Sequence, residues 1–254
     1  MCTDTDLVYY LAFATTDSTR PGRRNRQGGS LRLDPRVIDD PLRALEGDRT
    51  AHMPAVAGIV LAAGASRRMG RNKLLLDVGG EPLVRRTVRR ALEAGLDPVV
   101  DVLGFEADLV REAVADLPCR PVVNANHARG QIESIRAGLL ALPAESAAAV
   151  TLLADMPLVT AGMIARLADR FRAGGVALVV SEYGGVQAPP TLYARPLFAE
   201  ILALEEGACA RQVARRHRAE AAVFEWPAAA LLDLDSPDDY ARIGAMADPD
   251  RERV

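Results

Sequence analysis

The chain has 254 residues, 49% of them hydrophobic, with a formal net charge of −3, which is enough material for one substantial α/β core. Mild acidity without a basic stripe argues against a general nucleic-acid binder, and no apolar run approaches the ~18 residues of a membrane span. Three cysteines, Cys2, Cys119 and Cys209, odd in number and without CxxC spacing, argue against a disulfide framework or zinc site and for a reducing, cytoplasmic setting.

Residues 1–53 read as an extension with little fold. The stretch from Arg20 to Ser30 is polar, glycine-rich and aperiodic, and the apolar residues 7–14 lack the positive charges that precede a signal-peptide core. Met53 is followed at once by an apolar strand pattern, so it is an alternative start. A folded domain is expected over 54–246, with 247–254 as a tail.

From Val56 onward, strand and helix patterns alternate. Val56 to Ala62 is a short apolar strand, and Pro82 to Ala94 carries Leu83, Val84, Val88 and Leu92 at helical spacing. A buried-type strand follows from Pro98 to Gly104, then a helix from Ala107 to Leu117, a strand at Pro121 to Val123, and a helix from Gln131 to Leu142. Ala148 to Ala154 forms another apolar strand that ends at Asp155. A helix from Ala161 to Arg172 and a strand from Val176 to Ser181 precede a Gly/Pro-rich turn region, Gly184 to Pro190. Apolar strands joined by helices predict a doubly wound, mostly parallel sheet covered on both faces, in one domain. Ligands of such folds bind at the carboxyl ends of strands, which places Gly64, Gly104 and Asp155 on one rim.

The segment from Leu61 to Lys73, LAAGASRRMGRNK, is a strand end, a glycine turn, a basic loop and a lysine. Thirty of the thirty-one basic side chains are arginine, and the single lysine closes this loop. Lysine offers a compact, mobile point charge suited to one phosphate oxygen, whereas arginine offers a planar fork. Gly64 lets the backbone approach an anion, and loop amides with Arg67 and Lys73 would surround phosphate oxygens. The spacing is neither GxGxxG nor the Walker pattern GxxxxGK followed by Ser or Thr.

This segment resembles the signature LAxGxSxRMGxxK of the MobA-like NTP transferase superfamily, and the resemblance extends to about Ile243. Gly79 to Leu83, Val102 to Gly104, Asn124 with Gly130 to Leu139, Leu152 to Val159 and Leu232 to Tyr240 also match its pattern. The resemblance implies a Rossmann-like sheet of nucleotide-diphospho-sugar transferase type, whose first loop, Leu61, Ala62, Ala63 and Gly64, holds the triphosphate with Arg67 and Lys73. It places Gly104 and Ser134 near the nucleotide. Ala63, where the guanylyltransferase branch has a second glycine, is similar to the cytidylyltransferase branch.

Asp155 matches the family's metal-binding strand end. A carboxylate on the rim suits Mg²⁺ bridging phosphates, since that ion prefers hard oxygen ligands and keeps several waters. Asp233 and Asp235 lie in an element similar to the family's returning strand and capped helix, and Asp235 is expected as a second metal ligand. Ser236 before Pro237 is also a sound helix N-cap, which explains the element without catalysis. Ser134 likewise has an ordinary reading as a helix-start serine.

The activity implied is Mg²⁺-dependent transfer of CMP from CTP to molybdopterin or its molybdenum-loaded form, for a molybdenum hydroxylase apo-enzyme. The glycine-histidine-proline triplet of many cytidylyltransferase-like members is absent from Tyr183 to Tyr193, which leaves the acceptor open. A sugar, polyol or phospholactate-type phosphate would serve the same donor half. A carrier that binds cofactor without turnover is the alternative from a different class. His127 and His217 have no partner at metal-ligand spacing, and Arg211, Arg215, Arg216 and Arg218 read as a solvated helix side that would otherwise meet an anionic acceptor.

Overall fold

The computed structural model describes residues 53–66 and 69–245. Seven strands form one sheet: β1 (Val56–Ala62), β2 (Val99–Leu103), β3 (Arg120–Val123), β4 (Ala148–Leu153), β5 (Leu178–Tyr183), β6 (Val186–Ala194) and β7 (Ala222–Trp226). Their order is β3-β2-β1-β4-β6-β5-β7. Only β6 runs against its neighbours, pairing antiparallel with both β4 and β5.

Helices α1 (Leu83–Glu93), α2 (Ala107–Ala113) and α4 (Ala161–Arg172) cover one face of the sheet, and α3 (Gln131–Leu140), α5 (Phe198–Leu202) and α6 (Arg211–Arg216) cover the other. A seventh helix, α7 (Pro237–Ala245), follows the last strand. The two-residue period of the strands explains how one chain serves both faces. On β1, Val56, Val60 and Ala62 pack toward α1 while Ala57 and Ile59 pack toward α3. Gly138 brings α3 against β1, since a Cβ there would lie 2.4 Å from Ile59 Cγ2.

Three expectations are corrected. The Gly/Pro-rich stretch after Tyr183 is mostly strand: Gly184 and Gly185, both at positive φ, make a tight hairpin turn into the nine-residue β6. Pro189 and Pro190 fit because the β5–β6 register shifts between Val180 and Ser181, where no ladder hydrogen bond is required of them. The segment before α7 is not a strand. It is a short 3-10 turn, Ala228–Leu231, followed by extended chain that makes one backbone bond to the core, Leu234 N–H to the Asp155 carbonyl at 2.9 Å. The helix expected to reach Leu117 ends at Ala113. No helix among the described residues is long and apolar enough to cross a membrane.

Candidate active site

The carboxyl ends of β1, β2 and β4 share a register that brings their loops together. Ala62 lies beside Leu103 and Leu61 beside Leu153, so Ala63, Gly64, Gly104 and Asp155 follow neighbouring strands on one rim. Gly104 is held there by contact: a Cβ on it would lie 2.8 Å from the Ala63 carbonyl oxygen and 2.7 Å from His127 Cγ. Gly64 is the opposite case, with nothing within 4 Å of the space its Cβ would fill. That opening beside the backbone is where an anion can approach most closely.

The loop after Gly64 is tied back on itself. Ser66 takes a positive φ of 48°, its carbonyl accepts from Met69 N–H at 3.0 Å and its hydroxyl accepts from Lys73 N–H at 3.0 Å. Lys73 begins a short 3-10 turn, Lys73–Leu75, capped by the Asn72 side chain, which accepts from Leu74 N–H at 3.1 Å. The backbone of the lysine is therefore pinned and only its stem can swing. The sequence motif contains Ser66 and Asn72 but does not reveal the backbone anchor or the cap; the one local signal is that Asn is a cap-forming residue type. Arg67 lies outside the described residues.

Lys73 Nζ donates to Asp155 Oδ2 and to Asp235 Oδ1, each at 2.6 Å. Lys73 is 9% exposed. Burial works against its charge, but the attraction of Asp155 and then Asp235 outweighs it, and the ammonium is held above its ordinary pKa. Asp155 Oδ1 is buried and has no hydrogen-bond partner. Asp233 lies close enough to feel both carboxylates, and burial, then Asp155 and Asp235, push its pKa up to about 7.

Two supports position these groups, and a third holds Ser134. On α1, Thr87 Oγ1 donates to the Ala154 carbonyl at 3.4 Å, and Arg90 donates to the carbonyls of Pro157 and Val159 at 2.6 and 2.7 Å. The chain on either side of Asp155 is thereby fastened to a buried helix face. Before α7, Asp239 Oδ2 accepts from Ser236 N–H at 2.9 Å and from Ser236 Oγ at 2.7 Å, while Ser236 Oγ accepts from Asp239 N–H at 3.2 Å. This reciprocal cap fixes the residue next to Asp235. On the β2 side, Asn124 donates to Ser134 Oγ at 3.0 Å and accepts from Asn126 N–H at 2.9 Å, so Ser134 is tied to the β3–α3 loop.

The rim thus gathers Lys73, Asp155 and Asp235 in direct contact. Leu61 and Ala62 belong to β1 itself, and Gly104 abuts Ala63. No group of three or more His, Cys, Asp or Glu side chains forms a metal cluster among the described residues. A pair of carboxylates with one unpartnered buried oxygen still fits a hard divalent ion, whose other positions would go to phosphates and water. Beside this rim, on the α3 side of the sheet, is an open cleft whose lining includes Leu61, Gln131, Gln187, Thr191 and Arg211.

Comparison with known proteins supplies the family and the fold. The chain is 36% identical to the bifunctional protein GlmU of Kineococcus radiotolerans, over 71% of this chain and 38% of that protein. It is 40% identical to a probable molybdenum cofactor guanylyltransferase of Opitutus terrae, over 51% of this chain and 62% of that one. The matched region thus spans less than two thirds of each relative's length. Among solved structures, Rv0371c of Mycobacterium tuberculosis aligns over 76% of this chain and all of its own, at 27% identity and a TM-score of 0.68. That protein has also been solved in complex with manganese. Residues 58–221 match the family model described as MobA-like NTP transferase domain. With the seven-stranded sheet, the glycine loop and the Lys73–Asp155 rim in place, the chain belongs to the MobA-like NTP transferase family.

Proposed function

We propose that the protein transfers a nucleotidyl group from a nucleoside triphosphate, CTP in the first instance, to the terminal phosphate of a molybdopterin-type acceptor. The observation that carries this reading is Lys73 Nζ lying 2.6 Å from both Asp155 and Asp235 beside the open glycine loop. One compact cation and two carboxylates at a strand-end phosphate loop are what a triphosphate and its metal require.

In the proposed reaction, a terminal phosphate oxygen of the acceptor attacks the α-phosphorus in line. The bond from that phosphorus to the oxygen bridging to the β-phosphate breaks, and the electron pair leaves with pyrophosphate. The loop amides around Gly64, with Arg67 and Lys73, bind the β- and γ-phosphates and stabilise the leaving charge. Asp155 and Asp235 would hold the divalent metal, Mg²⁺ in this reading. When bound, it would supply Lewis-acid neutralisation of the phosphate oxygens. Ser134 and Gly104 border the nucleoside. The cleft lined by Gln131, Gln187, Thr191 and Arg211 is assigned to the acceptor, with its hydrogen-bonding amides and its cation suited to a polar phosphorylated heterocycle.

The choice of CTP rests on Ala63, whose methyl packs at the β2 end where the resemblance puts the base. The relative 40% identical to this chain is named a guanylyltransferase, so GTP is the competing donor. A panel of the four ribonucleoside triphosphates, scored for pyrophosphate release with Mg²⁺ and purified molybdopterin, tests the reading. CTP-specific, acceptor-dependent release is expected. Release with GTP alone would overturn the donor, release only with a sugar or polyol phosphate would overturn the acceptor, and nucleotide binding without release would leave a carrier for a molybdenum hydroxylase.

A further inference from the structure

The end of the chain is seated on the glycine-loop segment and not on the sheet. Leu234, before α7, and Ile243, on it, join Leu76, Val78 and Leu83 in a third, small apolar core, against which Met69 and Tyr240 pack. Its members come from two stretches alone, Met69 to the first residue of α1 and Leu232 onward. Neither of the larger cores that flank the sheet contains a described residue beyond Leu231. Polar ties follow the same route: the Tyr240 hydroxyl donates to the Asp77 carbonyl at 2.8 Å, and Asp235 accepts from Lys73 Nζ at 2.6 Å. A further tie, Leu234 N–H to the Asp155 carbonyl at 2.9 Å, reaches the rim just after β4.

Ser66 closes these contacts into a circuit. Its carbonyl accepts from Met69 N–H and its hydroxyl accepts from Lys73 N–H. Met69 packs on the small core that seats α7, and Lys73 bonds the aspartate that precedes α7. Fixing the loop therefore fixes the helix. A core of five buried side chains opens more readily than the two large ones on the sheet, so the seating of α7 is the step that a ligand can shift. We propose that α7 is a strap whose Tyr240 and Ile243 are positioning residues, presenting Asp235 to the rim, and that a polyphosphate on the glycine loop tightens its seating. This rests on the reading of that loop as a polyphosphate site. Linkage then requires that a seated α7 strengthen polyphosphate binding by the factor by which polyphosphate strengthens the seating.

The test is amide hydrogen exchange of the full chain in Mg²⁺, with and without inorganic pyrophosphate. In wild type, pyrophosphate should slow exchange in residues 69–76 and, by about fivefold or more, in α7, while α4 stays unchanged. Ile243→Ala should speed exchange in α7 by at least about tenfold and weaken pyrophosphate binding by about threefold or more, with α4 as in wild type. Ile243→Val should recover most of both losses. Tyr240→Phe, which removes one hydroxyl, should move both readouts in the same direction and carries the test if Ile243→Ala disturbs α4. Slower exchange in residues 69–76 with α7 unchanged would overturn the linkage while leaving the polyphosphate reading intact. Variants that loosen α7 yet bind pyrophosphate like wild type would do the same. If pyrophosphate slows neither segment of wild type, the polyphosphate reading fails and the proposal falls with it.

Discussion

At the residue scale, the site depends on the difference between a point charge and a fork. Lys73 reaches two carboxylates with one atom, and a guanidinium in its place would bond one of them side-on and crowd the other. Lys73→Arg is therefore expected to keep the fold and lower the rate of pyrophosphate release by about 100-fold or more. The measurement is steady-state turnover beside a thermal melt, and near-normal turnover would remove the lysine from the chemistry. Asp155→Asn keeps the shape of the rim but removes the charge that a divalent ion needs. Metal-dependent turnover is expected to fall by at least about 100-fold, with little recovery when Mg²⁺ is raised; a variant active at ordinary Mg²⁺ would contradict the assignment.

At the element scale, α1 acts as the splint of the site. Arg90, 2% exposed, spans the gap between helix and β4–α4 loop and satisfies the Pro157 and Val159 carbonyls. Arg90→Met would leave those buried acceptors without that donor, at a cost of about 1–3 kcal/mol, which urea denaturation would measure. Because Asp155 lies just before that loop, the Mg²⁺ concentration for half-maximal activity should rise as well; an unchanged Mg²⁺ requirement would limit Arg90 to stability. This support was not legible in the sequence. Lys73, Asp155 and Asp235 stand out because each ends or begins a patterned segment beside a chemistry-bearing motif. Arg90 and Thr87 sit among arginines and apolar residues of an ordinary amphipathic helix, and their bonds go to backbone carbonyls about 67 residues away, which leave no trace in local pattern. β6 was obscured for a related reason. Its glycines and prolines read as turn, and only the pairing with β4 and β5, which is non-local, makes a strand of residues 186–194.

At the scale of the whole molecule, the core contains a charge that folding has to neutralise. Asp101 is the middle residue of β2 and shares the face of Val99 and Leu103; it is 0% exposed, and neither of its carboxylate oxygens has a hydrogen-bond partner. Burial pushes its pKa from 3.8 up to about 7. The neighbouring Cys119 thiol is pushed up to about 11 by burial, with Asp101 adding to the effect, so it stays neutral and offers no counter-charge. Between pH 4 and 7 the folded state keeps a proton that the unfolded chain has released, so stability falls as pH rises through this window. The penalty is absent below the unfolded pKa and complete above about pH 7, where a shift of this size corresponds to about 4 kcal/mol as an upper bound. Asp101→Asn keeps the side-chain shape and cannot ionise. The difference in unfolding free energy between variant and wild type should therefore grow in the variant's favour from pH 4 to pH 8. Asp233, whose pKa is raised in the same direction, is common to both proteins and cancels in that difference. Urea titrations at four pH values would measure it, and a difference independent of pH would mean that Asp101 is hydrated or paired in solution. If the growth appears, the β2 strand carries a destabilising carboxylic acid beneath the rim that the rest of the core offsets, and a more stable protein with the same site follows from one substitution.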